Sequence, residues 1–191
     1  MKMNLSRNFY ERDPANVAQE LLGKVLIHSE NKKILKGKIV ETEAYYGIDD
    51  PASRASNKKT KINKIMWEKA GTILVYMVHG NWLFNVTTQP KNTPGAVLIR
   101  ATEPLDGIKT MKKRREKEKI TELSSGPGKL TQAFGINSEY HGTDLITSEK
   151  IFISNTEKEE KFDIETSHRI GVTKDLDREL RFFISNNKHV S

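Results

Sequence analysis

The sequence predicts an α+β fold, a single domain over residues 1–191 with a largely antiparallel sheet. Three observations carry this. Apolar and β-branched residues fall in short runs separated by Gly, Asn and Pro, the pattern of strands and turns. The helical segments are inserted among these runs rather than alternating with them, which argues against a parallel βαβ sheet. A chain of 191 residues, 36% hydrophobic, is long enough for one real core.

The elements follow in order. Asp13 caps a short helix, with Pro14 at its first position, Val17, Leu21 and Leu22 as its apolar stripe and Gly23 ending it. Residues 24–29 and 34–45 read as strands around a turn at Asn31. Residues 47–63 are polar and read as a loop. Strands follow at 72–78, 82–88 and 96–103, the first two joined by a tight turn at Gly80-Asn81. Residues 105–119 read as a helix on Leu105, Ile108 and Met111, and a shorter helix starts at Ser124-Ser125-Gly126-Pro127 and runs through Phe134. Residues 150–154 and 181–185 are late strands.

Composition narrows the function classes. Thirty-two Lys and Arg stand against 25 Asp and Glu, a net charge of +7 that favours a polyanionic partner, although a solubilising surface explains the same excess. With no cysteine there is no disulfide, thiolate zinc site or Cys nucleophile. No apolar run approaches the ~18 residues of a membrane span. The N-terminal residues lack a signal-type apolar stretch, so the expected location is cytoplasmic and nucleoid-associated, or nuclear, and not secreted. His28, His141, His168 and His189 are scattered, no pair has metal-ligand spacing, and no metal is expected.

Five segments hold residue types with chemical potential. In Ile39–Gly47, Glu41, Glu43 and Tyr45 alternate on one strand face, a carboxylate beside an aromatic. Hydrolysis of a glycosidic bond uses such a carboxylate to take a proton from water and stabilise an oxocarbenium-like sugar. A solvated sheet face explains the pattern as well. The hairpin around residues 73–85 presents His79, Asn81 and Trp82 at its tip, where an aromatic could enter a duplex; ordinary core packing is the alternative. Arg100 interrupts an apolar strand and needs an anionic partner, a phosphate or a carboxylate. Residues 109–119 carry seven Lys or Arg against two Glu, with Lys112 and Arg115 the candidates for phosphate contact, unless this is only a solvated helix face. Gly126-Pro127-Gly128-Lys129 opens a helix whose N–H groups and dipole favour an anion, without the pattern of a nucleotide-hydrolysing loop.

Taken together, FYERDPANVAQELLGKVL, IVETEAYYG, GTILVYMVHG, GAVLIRATEPLDG, SSGPGKLTQAFGI, HRIGV and RFFIS resemble, in order and across nearly the whole chain, the alkyladenine (3-methyladenine or methylpurine) DNA glycosylase family. The resemblance implies a curved antiparallel sheet, a partly open barrel with surrounding helices. It also implies no cofactor, no lyase step, and double-stranded DNA with damaged purines as partner. Glu43 matches the family's general base, and Arg100 an Arg that contacts the backbone and supports the water site. Tyr45 and Tyr76 match pocket rings, Asn85 an Asn that screens normal purines, and Gly128 and Lys129 phosphate contacts. Two positions depart from the family. Arg54 stands where it usually has a pocket His, and His79 where it has a wedge Tyr, with Trp82 close by to share that role. Because Arg54 is permanently charged, lesion preference is expected to tilt from cationic 3-methyladenine and 7-methylguanine towards neutral hypoxanthine and ethenoadenine.

Two other classes fit parts of the sequence. A DNA- or RNA-binding module of the same fold would follow if Arg54 closes the pocket. A metal nuclease would use Glu41, Glu43 and Asp49, but lacks partners at useful spacing. One flipped base needs one pocket, so a monomer is expected.

Overall fold

The structure is a computed structural model that describes residues 4–156 and 160–191. Helices α1 (Arg7–Tyr10) and α2 (Pro14–Leu21) precede β1 (Val25–Glu30), β2 (Lys33–Tyr45), β3 (Ile73–Val78), β4 (Asn81–Thr87) and β5 (Ala96–Asp106). Helices α3 (Ile108–Arg115) and α4 (Pro127–Phe134) and strands β6 (Ile151–Ser154), β7 (Ile164–Ser167) and β8 (Arg181–Ile184) complete the chain. Among the described residues the eight strands join one antiparallel sheet with the path β3-β4-β5-β2-β1-β6, and β8 pairs both β2 and β7.

The 13-residue β2 organises this sheet. Along its first half it pairs with β1, and at Glu41–Glu43 with β8, while β5 follows it on the other side. Register shifts around Ile39 and Glu41 accompany the exchange of partners. An irregularity of this kind bends a strand and raises its twist, and so curves the sheet into a half-barrel.

Both faces of β2 are covered. From Ile39 to Ala44 every residue is buried, so the reading of Glu41 and Glu43 as a solvated face does not hold. Thr42 donates to the Ala18 carbonyl of α2 at 2.8 Å, which turns Glu43 to the opposite face. Helix α2 starts as its sequence dictates: Asp13 Oδ1 accepts from the N–H groups of Ala15 (2.9 Å) and Asn16 (3.3 Å). A cap of this type is worth about 1 kcal/mol. The main core joins Val17, Ala18 and Leu21 of α2 to Ile39, Val86, Val97 and Ile99 of the sheet and to Leu130, Ala133 and Phe134 of α4. Among the described residues no helix is long and apolar enough to cross a membrane.

Three boundaries differ from the sequence reading. Leu105 is 48% exposed at the end of β5, and the helix begins only at Ile108, after Gly107 with φ of 74°. The apolar stripe of α3 is thus Ile108 and the buried Met111, without Leu105. The hairpin turn is His79-Gly80, not Gly80-Asn81: φ is 48° and 78° there, and Val78 pairs directly with Asn81. A two-residue turn with both φ positive matches the sheet twist, and His tolerates that region better than most residues. Strand β7 has no apolar alternation to announce it, since Ile164, Glu165 and Thr166 are exposed.

Candidate active site

A cavity of about 750 Å³ opens on the face of β2 opposite α2, in the size range of small-molecule pockets. Glu43, Tyr45 and Arg100 form one part of its wall, Tyr76, Val78, Asn81 and Leu83 of the hairpin another. Segments 51–54, 126–129 and 170–173 make the rim.

Glu43 has no solvent exposure, yet it lies on this wall. Its Oε1 accepts from the Ile170 N–H at 2.7 Å and faces Arg100 Nη1 at 3.1 Å. Its Oε2 accepts from the Tyr45 hydroxyl at 2.7 Å. A carboxylate has about four acceptor positions, so these three partners leave one acceptor position unfilled. Burial, with the Glu43 charge adding to it, pushes the Tyr45 hydroxyl far up, and burial pushes Tyr76 up too. Both tyrosines therefore stay protonated, and Tyr45 remains a donor to Glu43.

Two residues earlier, Glu41 is closed off. It accepts from Arg100 Nε (2.8 Å), Arg181 Nε (2.7 Å), Ser191 Oγ (2.9 Å) and the Ser191 N–H (2.7 Å). Burial opposes its charge, but Arg100, the Ser191 N–H and Arg181 outweigh it and hold its pKa below the ordinary carboxylate value. Arg100 spans the two carboxylates, with Nη2 on Ser191 Oγ at 3.2 Å. Its side chain is 7% exposed, so its partners are carboxylates rather than a free surface.

Tyr45 is backed by Arg169, whose guanidinium lies 4.6 Å from its ring centroid. The Arg169 side chain is fully buried, bonded to both Asp50 oxygens (2.6 and 2.7 Å), to the Ala44 carbonyl (2.9 Å) and to Asp175. Arg169 thereby ties the end of β2 to two rim loops and sets Ile170 against Glu43. The HRIGV segment alone assigns Arg169 no role, because nothing local marks Asp50, Asp175 and Ala44 as its neighbours.

On the hairpin, strand parity decides which residues face the cavity. Tyr76 pairs with Leu83 and Val78 with Asn81, and all four line it. Trp82 pairs with Met77 on the other face and packs against the main core, so it is not placed for a wedge. His79 is exposed at the tip and on the cavity rim. Asn85 is 1% exposed behind Tyr76, and its Nδ2 donates to the carbonyls of Leu74 (3.1 Å) and Leu83 (3.4 Å). It supports the wall instead of forming it. Arg54 is exposed on the rim with its guanidinium 4.6 Å from the Tyr76 ring centroid. Gly128 and Lys129 line the cavity, and a Cβ on Gly128 would come within 2.8 Å of Asn81, so only glycine lets the hairpin tip sit against the start of α4.

Helix α3 is elsewhere. Lys112 pairs with Glu118 at 2.9 Å, Arg115 donates to the Leu123 carbonyl at 3.1 Å and to Gln132, and neither lines the cavity. The proposed Glu41, Glu43 and Asp49 metal grouping has no geometric support: Glu41 is saturated by arginines and Ser191, and Asp49 is exposed and absent from the wall.

A family model for methylpurine-DNA glycosylase matches residues 8–188. The chain belongs to that family. Among its relatives, a protein of Chlorobium phaeobacteroides is 43% identical over 187 residues, covering 97% of this chain and 95% of its own. One of Prosthecochloris aestuarii is 44% identical, covering 97% and 89%, and one of Clostridium perfringens 42%, covering 99% of both. All three carry the provisional name 3-methyladenine DNA glycosylase. As a DNA glycosylase of this family the chain falls within DNA repair, and DNA is its substrate class.

Proposed function

We propose that this glycosylase is monofunctional: it flips a damaged purine of the 3-methyladenine, 7-methylguanine, hypoxanthine and ethenoadenine class into the cavity and hydrolyses its N-glycosidic bond. The observation that carries this is Glu43, a carboxylate on the cavity wall with acceptor capacity left over after Ile170, Tyr45 and Arg100. A water on that free position gives its proton to Glu43 while its oxygen bonds to the anomeric carbon. The bond from that carbon to the base nitrogen breaks with its electrons leaving on the base, and an abasic sugar remains. Tyr45 and Tyr76 supply stacking walls, and the start of α4 at Gly128 and Lys129 receives the flanking phosphate. His79, exposed at the hairpin tip on the cavity rim, supports the reading in which its ring fills the vacated stack.

Arg54 over Tyr76 puts a permanent charge at the pocket mouth, which disfavours a cationic base and favours neutral hypoxanthine or ethenoadenine. Competing release of hypoxanthine and 7-methylguanine should shift towards the cationic base in Arg54→His; an unchanged ratio would remove Arg54 from the selectivity.

The reaction itself is tested on duplexes carrying one lesion, in EDTA, by strand breaks with and without hot alkali. Breaks that need alkali identify a hydrolytic, metal-free glycosylase. Breaks without alkali would assign an amine nucleophile, and Lys129 is the lysine on the cavity wall. Tight binding without release of any of the four lesion types would instead support a binding module.

A further inference from the structure

The strongest unassigned surface is the segment 54–64, which leaves the cavity rim at Arg54 and returns to the sheet through Ile65 and Met66. We propose that this segment is the part of the molecule that grips the DNA backbone beside the flipped nucleotide, and that Asn63 is the residue that holds it in shape. For the identity of the partner this rests on the glycosylase reading above.

Residues 54–64 contain Arg54, Lys58, Lys59, Lys61 and Lys64 and no Asp or Glu. All five side chains are exposed, and among the described residues none of them forms an ion pair. Lys59 rests over the Trp67 ring at 5.4 Å, which keeps its charge while fixing its stem. The contrast with α3 is direct. There Lys112, Arg114 and Arg115 are engaged within the protein, by Glu118, by Glu30 and by Gln132 with the Leu123 carbonyl. Arg114 also donates to the Ala133 carbonyl, at the end of α4 remote from the cavity. Three of the five basic residues on α3 thus hold it to its neighbours, leaving Lys109 and Lys113 exposed away from the cavity, whereas the four lysines of 54–64 are all exposed on the segment that continues the cavity rim.

The segment is also built. Asn63 is 3% exposed, and its Nδ2 donates to the Arg54 carbonyl (2.6 Å) and the Lys58 carbonyl (2.9 Å). Its Oδ1 accepts from the Thr60 N–H at 2.6 Å, and its own N–H donates to Thr60 Oγ1 at 3.2 Å. One buried amide therefore fastens the segment at both ends and in the middle. Ala55, Ile65 and Met66 anchor it in a small second core with Leu74 and Ala96. Ordering a free backbone costs conformational entropy, so a loop already held in shape meets phosphates without that loss.

The test is equilibrium binding of the full chain to a duplex bearing a tetrahydrofuran abasic analogue, by fluorescence anisotropy across a salt series. Each phosphate that the protein ceases to neutralise flattens the slope of log K against log salt by about 0.9. Lys58→Gln, Lys59→Gln and Lys61→Gln combined should flatten it by about two or more such steps. Lys109→Gln with Lys113→Gln on α3 should leave the slope at its wild-type value. Asn63→Ala, with every lysine retained, should weaken binding and flatten the slope at temperatures where melting shows the variant folded. A wild-type slope in the triple variant, or a flattened one in the α3 pair alone, overturns the assignment to 54–64 and leaves the glycosylase reading standing. A wild-type chain that does not bind the duplex at all overturns both.

Discussion

Glu41 and Glu43 stand two residues apart on β2, both without exposure and both facing Arg100, yet their surroundings divide them. On the Glu41 side Arg100, Arg181 and Ser191 supply four donors, and the residue does not line the cavity. On the Glu43 side the donors are the Tyr45 hydroxyl and the Ile170 N–H, and the wall opens on the cavity. The same residue type on the same strand face thus serves two ends. One carboxylate fixes the cation; the other, held by that cation, is left with capacity for water. Burial alone does not mark a catalytic carboxylate; unfilled acceptor positions beside a cavity do.

The largest effect should come from breaking the shared cation. Arg100→Met leaves two buried carboxylates short of partners, and loss of one side of a buried ion pair costs about 3–5 kcal/mol. Both thermal stability and base release should collapse; a stable, active Arg100→Met would mean that the carboxylates do not depend on it. Glu41→Gln comes next. It should lower stability by about 3 kcal/mol, because Arg100 and Arg181 lose their common counter-charge, while base release at low temperature stays within about tenfold of wild type. A folded Glu41→Gln without activity would erase the distinction between the two sides.

Tyr45→Phe sharpens the open side. It keeps the ring over Arg169 and removes one donor to Glu43, worth about 1–1.5 kcal/mol, so single-turnover release should fall about tenfold with affinity retained. The smallest effect is one of pH. Burial holds the His28 pKa below its ordinary value, with Nδ1 donating to the Phe134 carbonyl at 2.7 Å and Tyr140 donating to Nε2 at 2.6 Å. Below about pH 6.5 the unfolded chain takes up a proton that the folded one resists, so stability is lost as pH falls from there. Glu41, depressed in the fold, adds its own loss only below the ordinary carboxylate range. Burial depresses His189 as well, so His28→Gln should reduce the decline at the higher pH in melting curves, leaving the share of His189, and keep the one at the lower.

What was legible in the sequence was local or periodic. The Asp13-Pro14 cap sits within one turn of helix, and Glu41, Glu43 and Tyr45 alternate along one strand. The resemblance, carried by several short segments in order, located the glycosylase family and the half-barrel. What was not legible depended on remote partners. Arg169 is defined by Asp50, Asp175 and Ala44, which its own segment does not announce. Trp82 looked like a tip residue because the turn was placed one residue late; with His79-Gly80 as the turn, parity sends its ring to the core. The charge run of α3 looked free because a sequence does not show that Glu30, Glu118 and Gln132 engage it.

The division between the two carboxylates is tested most directly by single-turnover base release from a hypoxanthine duplex in EDTA, for wild type, Glu43→Gln and Glu41→Gln, with melting curves alongside. General-base catalysis contributes about 10²–10⁴-fold, so Glu43→Gln should lose at least a hundredfold in rate at temperatures where its melting curve shows it folded, while Glu41→Gln, at temperatures where it is folded, should stay within about tenfold of the wild-type rate. Alkali-dependent release by Glu43→Gln at the wild-type rate would contradict the account, and the water would then have to be activated elsewhere.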